Sequence, residues 1–372
     1  MVNSQTFDVI VVGGGPGGAV AAKRCAEAGL MTVLIEKKKL PRDKVCTGMV
    51  MGDWAHDIIR LEFGEIPEAV LVDPPCLTGH RLHVAGAETQ TLEWPTPFTW
   101  RRNLDFWMLL RAKEAGVAIR EDSRVVSVTP EQGLTRVTTQ HHGLTEELRA
   151  RFVIGADGST SVVRKSLFRL KVRYSSPIRE CYRGKLDLQR NVIHWFFPKG
   201  RPRPRFNVNH KDDVFLIEGS GIKELRREIN ETLMQYGFDP RSKPEWKDGC
   251  AIAMLHEQLL SKAFVPAQGN NLLVGDAAGL IFPITFEGIG SALKSGVAAA
   301  DAVSKSVETG KHAAAFYLEA LELILEKIRH LCSVQNELGD SSMGDPHRLA
   351  ASMLSAYRET LIIQENSFVN PD

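Results

Sequence analysis

Three glycine-rich stations along this chain have the residue types to hold a dinucleotide against a backbone turn. The first is Gly13-Gly14-Gly15-Pro16-Gly17-Gly18, directly after the apolar run Phe7 to Val12. It fits GxGxxG, in which a strand turns sharply into a helix and brings backbone N–H groups and the positive helix end up to a pyrophosphate. Side chains at Gly13, Gly15 or Gly18 are expected to block that approach. Glu36 closes the next apolar run, Thr32 to Ile35, where a carboxylate accepts hydrogen bonds from ribose hydroxyls and repels a 2′-phosphate. The second station is Gly155-Ala156-Asp157-Gly158 after Phe152 to Ile154, and the third is Gly275-Asp276-Ala277-Ala278-Gly279 after Leu272 to Val274. One such element is a weak signal. Three in this order point to FAD, and so to redox chemistry.

Those stations require an α/β scaffold. Residues 7 to 36 read as strand, helix and strand, with Ala19, Ala21, Ala22 and Ala26 permitting close packing of the helix on a sheet. Leu104 to Ala115 reads as a helix. Val117 to Ile119, Val125 to Val128, Thr135 to Thr139 and Leu148 to Ile154 read as short strands. Strand patterns with Pro and Gly punctuation dominate residues 70 to 100 and 175 to 256. Glu287 to Val307 reads as an Ala- and Gly-rich helix whose start approaches the cofactor. The expected architecture is a Rossmann-like FAD-binding domain (1–70, 101–174 and 257–310) interleaved with a β-sheet substrate domain (71–100 and 175–256). A helical C-terminal region (311–372) follows. In that region Leu321, Ile324, Leu325, Ile328 and Leu331 recur at helical spacing, as core or as the wall of an apolar tunnel.

Composition narrows the class. The 372 residues, 43% of them hydrophobic, suffice for a large core, and a formal net charge of +1 offers no general attraction for nucleic acid. Neither a spanning apolar stretch nor a basic leader with an apolar core stands out, which leads us to expect a cytoplasmic protein, with peripheral membrane contact open. The six cysteines form no CxxC pair, and His141 and His142 are adjacent rather than at helical ligand spacing, so no metal is expected. After the first station there is no second GxGxxG in a strand–helix context. The electron donor is therefore expected to be NAD(P)H docking transiently, or another small molecule or protein.

Local motifs carry a family resemblance. Pro41-Arg42-Asp43-Lys44-Val45-Cys46-Thr47-Gly48 resembles a PxxKxCxG segment, and His194-Trp195-Phe196-Phe197-Pro198 resembles part of YxWxFP. Pro283-Ile284-Thr285-Phe286-Glu287-Gly288-Ile289, running on to Ala292-Leu293-Lys294-Ser295-Gly296, resembles PxxGEGI and A-x-K-S-G. Together they resemble the geranylgeranyl reductase family, within FAD-dependent oxidoreductases of the para-hydroxybenzoate hydroxylase type. Two positions depart: Ile193 stands where the family has tyrosine, and Phe286 where it has glycine. The resemblance implies that Gly13, Gly15, Gly17, Gly18 and Glu36 hold the ADP half and that Arg101 reaches the middle of FAD. It implies backbone contacts from Val125 to adenine. Asp157, Gly158 and Asp276 then stand near the phosphates and ribityl chain, and Gly288 and Ile289 present amides to the flavin.

Cys46 and Trp195 are the candidate catalytic residues. The Cys46 thiol either donates a proton to a carbon that has received hydride or simply packs, while the backbone of Cys46 and Thr47 contacts FAD. Trp195 is either sheet core or a wall of the substrate cavity. Two basic runs, Lys199, Arg201, Arg203, Arg205 and Lys211, and Arg164, Lys165, Arg169, Lys171 and Arg173, are either solvated faces or a mouth that attracts a phosphate, pyrophosphate or acyl-carrier headgroup. The leading expectation is a reductase that saturates C=C bonds of a prenyl or other long apolar, lipid-like substrate. The alternatives are a monooxygenase or halogenase of aromatic or polyketide substrates, and an electron-transfer flavoprotein serving a partner protein.

Overall fold

The computed structural model describes residues 5–341 and 345–362. Its first sheet is eight-stranded and follows from apolar runs that parallel neighbours bury on both faces. β1 (Gln5–Val12) lies between β2 (Thr32–Ile35) and β8 (Leu144–Gly155), parallel to both, and Val9 to Val11 are fully buried. β5 (Ala118–Arg120) extends one edge, β17 (Asn271–Leu273) and β16 (Ala267–Gln268) the other. β6 (Arg124–Pro130) and β7 (Thr135–His141) pair alongside β8.

Helix α1 (Pro16–Glu27) leaves the glycine turn and packs closely on α7 (Ile289–Thr309). A Cβ on Gly296 of α7 would fall 2.4 Å from the carbonyl oxygen of Gly17, so small residues set this approach. α2 (Asp53–Phe63) also packs on α7, and α3 (Arg101–Glu114) on α1. α4 (Val162–Leu167) follows the second station. α6 (His256–Leu260) precedes β16, and α8 (Ala313–Ser341) and α9 (Pro346–Leu361) complete the described chain. Leu321, Ile324, Ile328 and Leu331 of α8 are fully buried in the main core, and none of them lines the cavity described below.

The second sheet has seven strands and joins two separated stretches of sequence. Its order is β14 (Trp246–Gly249), β10 (Ile178–Arg183), β13 (Val214–Gly219), β12 (Phe206–Lys211), β11 (Val192–Phe197), β3 (Leu71–Val84) and β4 (Gln90–Thr99). β9 (Arg173–Ser175) and β15 (Ile252–Met254) form a small ribbon. One face of the large sheet carries Tyr182, Phe196, Phe206, Val208, Phe215 and Ile217 in a separate apolar core under α5 (Arg226–Met234). Because successive side chains alternate across a strand, the other face of β12 carries Asn207, Asn209 and Lys211. All of β12 is shielded from solvent, and on this polar face Asn207 lines a cavity.

The main differences from expectation are helices. α2 was not foreseen, and α5 interrupts a stretch read as strands. α3 begins at Arg101, three residues before the apolar periodicity, and α7 starts at Ile289, after the sharp turn at Gly288.

Candidate active site

A cavity of about 940 Å³ lies between the two sheets and gathers all three stations. At its dinucleotide end the glycines do two different jobs. A Cβ on Gly13, where φ is +107°, would sit 2.4 Å from Ala156 O, and one on Gly18 would sit 2.0 Å from Gly13 O. At these two positions the obstacle is the protein's own backbone, a different reason for glycine than the expected blocking of a ligand. Gly15 fits the expected reason. A Cβ there meets nothing nearer than Arg42 Nη2 at 4.0 Å and would project into the cavity. The helix α1 behind it has no side-chain cap and no acid in its first turn, so its amides face the cavity uncompensated. This cradle fits the pyrophosphate of FAD.

Glu36 is buried and accepts hydrogen bonds from Gly14 N at 3.0 Å and Lys38 N at 3.0 Å. It also accepts from Arg42 Nε at 3.0 Å, a partner that sequence reading missed. Arg42 further donates to Gly14 O at 2.9 Å and places Nη1 3.0 Å from Asp105 Oδ2 without a directed hydrogen bond. Arg101 is locked on Asp105 by bonds of 2.7 and 3.0 Å. Burial works against its charge, but Asp105 and Cys46 outweigh that and hold the guanidinium above its ordinary value. Val125 lines the cavity beside a register irregularity in β6.

Asp157 lines the cavity but spends its carboxylate on α4, accepting from Ser161 Oγ (2.5 Å), Val162 N (2.6 Å) and Val163 N (3.2 Å). Burial pushes its carboxyl up despite these bonds. It orders the turn that contains Gly158, itself on the cavity wall at φ +77°. Asp276 is freer, accepting from Ser159 Oγ at 3.2 Å with Lys44 Nζ 3.9 Å away. Gly288 and Ile289 open α7 on the cavity wall. Glu287, which does not line the cavity, turns back onto the same helix end and accepts from Gly290 N at 2.7 Å. Burial pushes its carboxyl up to about 7, against the pull of those amides.

At the other end, three strands of the second sheet grip the Cys46–Thr47 loop. Arg179 (β10) donates from Nη1 to Cys46 O at 3.0 Å. Glu218 (β13) accepts from Thr47 Oγ1 at 2.7 Å. Lys211 (β12) donates to Thr47 O and, at 2.7 Å, to Thr99 O, under the rings of Trp100 and Phe98. Burial pulls the Lys211 ammonium down to about 7. Strand register sets Asp248, Arg179, Glu218, Asn207, Trp195 and Leu82 side by side in one row across the sheet, and the first five line the cavity.

Trp195 is 7% exposed and lines the cavity, with its indole N–H donated to His80 Nδ1 at 3.2 Å, so it serves as core and wall together. Phe286 also lines the cavity, at φ +57°, the left-handed region that favours the glycine of the resembling motif. His141 and His142 converge with Asp122 on the surface, their ligand atoms within 4.8 Å of one another, which adjacency in sequence did not suggest.

Comparison with known proteins agrees with this geometry. Residues 8–172 match the family described as FAD dependent oxidoreductase. A digeranylgeranylglycerophospholipid reductase of Thermoplasma acidophilum is 27% identical over 363 residues, covering 88% of this chain and 86% of the relative. A geranylgeranyl bacteriochlorophyll reductase-like protein from the same organism superimposes with a TM-score of 0.72 at 21% identity, covering 95% of this chain and 96% of the other. A flavin-dependent brominase does so with 0.72 at 16% identity, covering 96% and 95%. The protein is therefore a FAD-dependent oxidoreductase. In sequence it is similar to digeranylgeranylglycerophospholipid reductases, and in fold to a geranylgeranyl bacteriochlorophyll reductase-like protein.

Proposed function

We propose that this protein saturates carbon–carbon double bonds in a prenyl chain or another long apolar, lipid-like substrate. The observation that carries the reading is the Cys46–Thr47 loop, held from three strands so that Cys46, whose Sγ accepts from Gly48 N at 3.4 Å, lines the same cavity as Trp195, Ile281 and Phe286. Reduced FAD supplies hydride in this class of enzyme. The chain's own residues do the rest. Gly15 and the start of α1 hold the pyrophosphate, with Glu36 facing the adenosine ribose. Val125 would meet adenine through its backbone, Arg101 would reach the middle of FAD, Asp157, Gly158 and Asp276 would stand near its phosphates and ribityl chain, and Gly288 and Ile289 would favour negative charge at the flavin edge. Cys46 Sγ supplies the proton to the second carbon, while Trp195 and Phe286 keep water away. Among the described residues no helix is long and apolar enough to cross a membrane, so we infer that a lipid substrate is met from a peripheral position. Reducing equivalents come from NAD(P)H or a donor protein.

The test is anaerobic incubation of reduced, FAD-loaded protein with prenyl substrates of several lengths. Products gain one hydrogen pair per double bond, and no saturated product with any chain type would refute the assignment. Aromatic hydroxylation or halogenation is the second reading, favoured by the polar row of Arg179, Glu218 and Asn207 on the cavity wall. Substrate-dependent oxygen consumption selects it instead.

A further inference from the structure

We propose that the substrate end of the cavity binds an anionic group, a carboxylate or a phosphate, between Arg203 and Arg205. The inference deepens the prenyl-reductase reading and rests on it for the apolar body of the ligand. Both arginines line the cavity. Arg203 is exposed at its mouth, and Arg205 is buried behind it at 7% exposure.

Neither guanidinium has a carboxylate within ion-pair distance among the described residues. Arg205 donates to the carbonyls of Ile284 and, at 3.5 Å, Pro202, and lies 5.6 to 5.9 Å from the ring centroids of Trp195, Phe197 and Tyr357. Arg203 lies 5.0 Å from the Phe286 ring centroid, with a long 3.4 Å bond to Gln335 Oε1. By contrast Arg42, Arg101 and Arg179, which line the same cavity, each hold a carboxylate. Carbonyls and ring faces orient a guanidinium but leave its charge uncompensated, and for Arg205, which is buried, that is costly without a counter-ion. Two such forks, stepping inward from the mouth, match the oxygens of a carboxylate or phosphate. Trp195 and Phe286 supply apolar walls beside them.

A purely structural role for Arg205, as a strut for the loop at Ile284, accounts for its carbonyl bonds but not for Arg203 at the mouth. The proposal therefore separates from fold maintenance by experiment. Oxidised, FAD-loaded protein is titrated with geranylgeranyl diphosphate, geranylgeranoic acid and geranylgeraniol, and with dodecyl phosphate and dodecanol. Flavin absorbance and calorimetry read the binding without turnover.

Both charged prenyl ligands are expected to bind roughly tenfold or more tightly than the alcohol, with affinity falling in salt. The tighter of the two identifies phosphate or carboxylate as the natural group. Arg203→Gln removes the preference and leaves alcohol binding unchanged, and Arg205→Lys keeps part of the preference. Equal binding of alcohol and anions, no binding of any anion, or equal weakening of all ligands by Arg203→Gln overturns the subsite. If dodecyl phosphate binds in an arginine-dependent manner while prenyl ligands do not, the subsite stands and the prenyl reading fails. If prenyl chains bind and are saturated without regard to charge, the reverse holds.

Discussion

The two ends of the cavity are built from different materials. At the dinucleotide end the groups that face the ligand are largely backbone: the Gly15 turn, the free amides of α1 and the start of α7. At the substrate end they are side chains standing on one face of a sheet, Arg179, Glu218, Asn207 and Trp195 in a single row. A backbone site depends on where side chains are missing, so it tolerates few substitutions and constrains glycine spacing. A side-chain site depends on which residues the strand register makes neighbours, so it varies with strand sequence while the sheet persists. That difference explains how reductases, halogenases and monooxygenases share a fold.

The sharpest way to break the comparison lies at the glycines. Gly18→Ala places a Cβ 2.0 Å from a carbonyl oxygen and is expected to cost about 3 kcal/mol of stability, with loss of bound FAD. Gly15→Ala leaves thermal stability of the FAD-free protein near wild type and weakens FAD by roughly tenfold, because its methyl projects into the cavity. Calorimetry and flavin occupancy distinguish the two, and equal losses in both would remove the division of labour argued for these glycines.

Lys211→Met tests the other end. Losing the bonds to Thr47 O and Thr99 O is expected to cost the Cys46–Thr47 loop about 1–3 kcal/mol of positioning, lowering kcat/KM while FAD stays bound. Lys211 also predicts a pH signature. Its folded value of about 7 lies below the ordinary 10.5, so between them the unfolded chain binds the extra proton and wild-type stability rises with pH. Below about 7 the cost of the buried ammonium is fully present. The difference in unfolding free energy between wild type and Lys211→Met should therefore change across that window, and a pH-independent difference would assign Lys211 no buried titration.

The smallest expected effect is at Phe286. Gly is free to adopt φ near +57°, whereas phenylalanine there carries about 1–2 kcal/mol of steric cost. Phe286→Gly removes that cost but also the ring beside Arg203 and some apolar burial, so a net change within about 1 kcal/mol is expected, together with acceptance of bulkier substrates. A sharp loss of stability would mean that packing of the ring, rather than its place on the cavity wall, governs this position.

The dinucleotide end was the more legible in sequence. Gly13 to Gly18, Glu36 and the stations at Asp157 and Asp276 could be read because glycine after an apolar run implies a turn with little else able to occupy it. Even there, Asp157 and Glu287 turned out to be engaged on helix ends, since a carboxylate's partner is a matter of a few ångströms and not of spacing along the chain. The grip of Arg179 on Cys46 and of Lys211 and Glu218 on Thr47 joins residues more than 130 positions apart and left no local pattern beyond polar alternation in β12.

What the amino-acid sequence alone determined was the α/β class, the turns that approach FAD and the redox character that follows from them. Periodicity and glycine are local properties, written wherever the chain must alternate faces or bend. Tertiary structure decided which strands became neighbours. Register then turned scattered polar residues into one cavity wall, drew Lys211 under the Cys46 loop, and left Arg203 and Arg205 at the mouth without a carboxylate partner among the described residues. Long-range pairing sets those contacts, because the energy of a buried charge depends on what surrounds it and not on what precedes it in the chain.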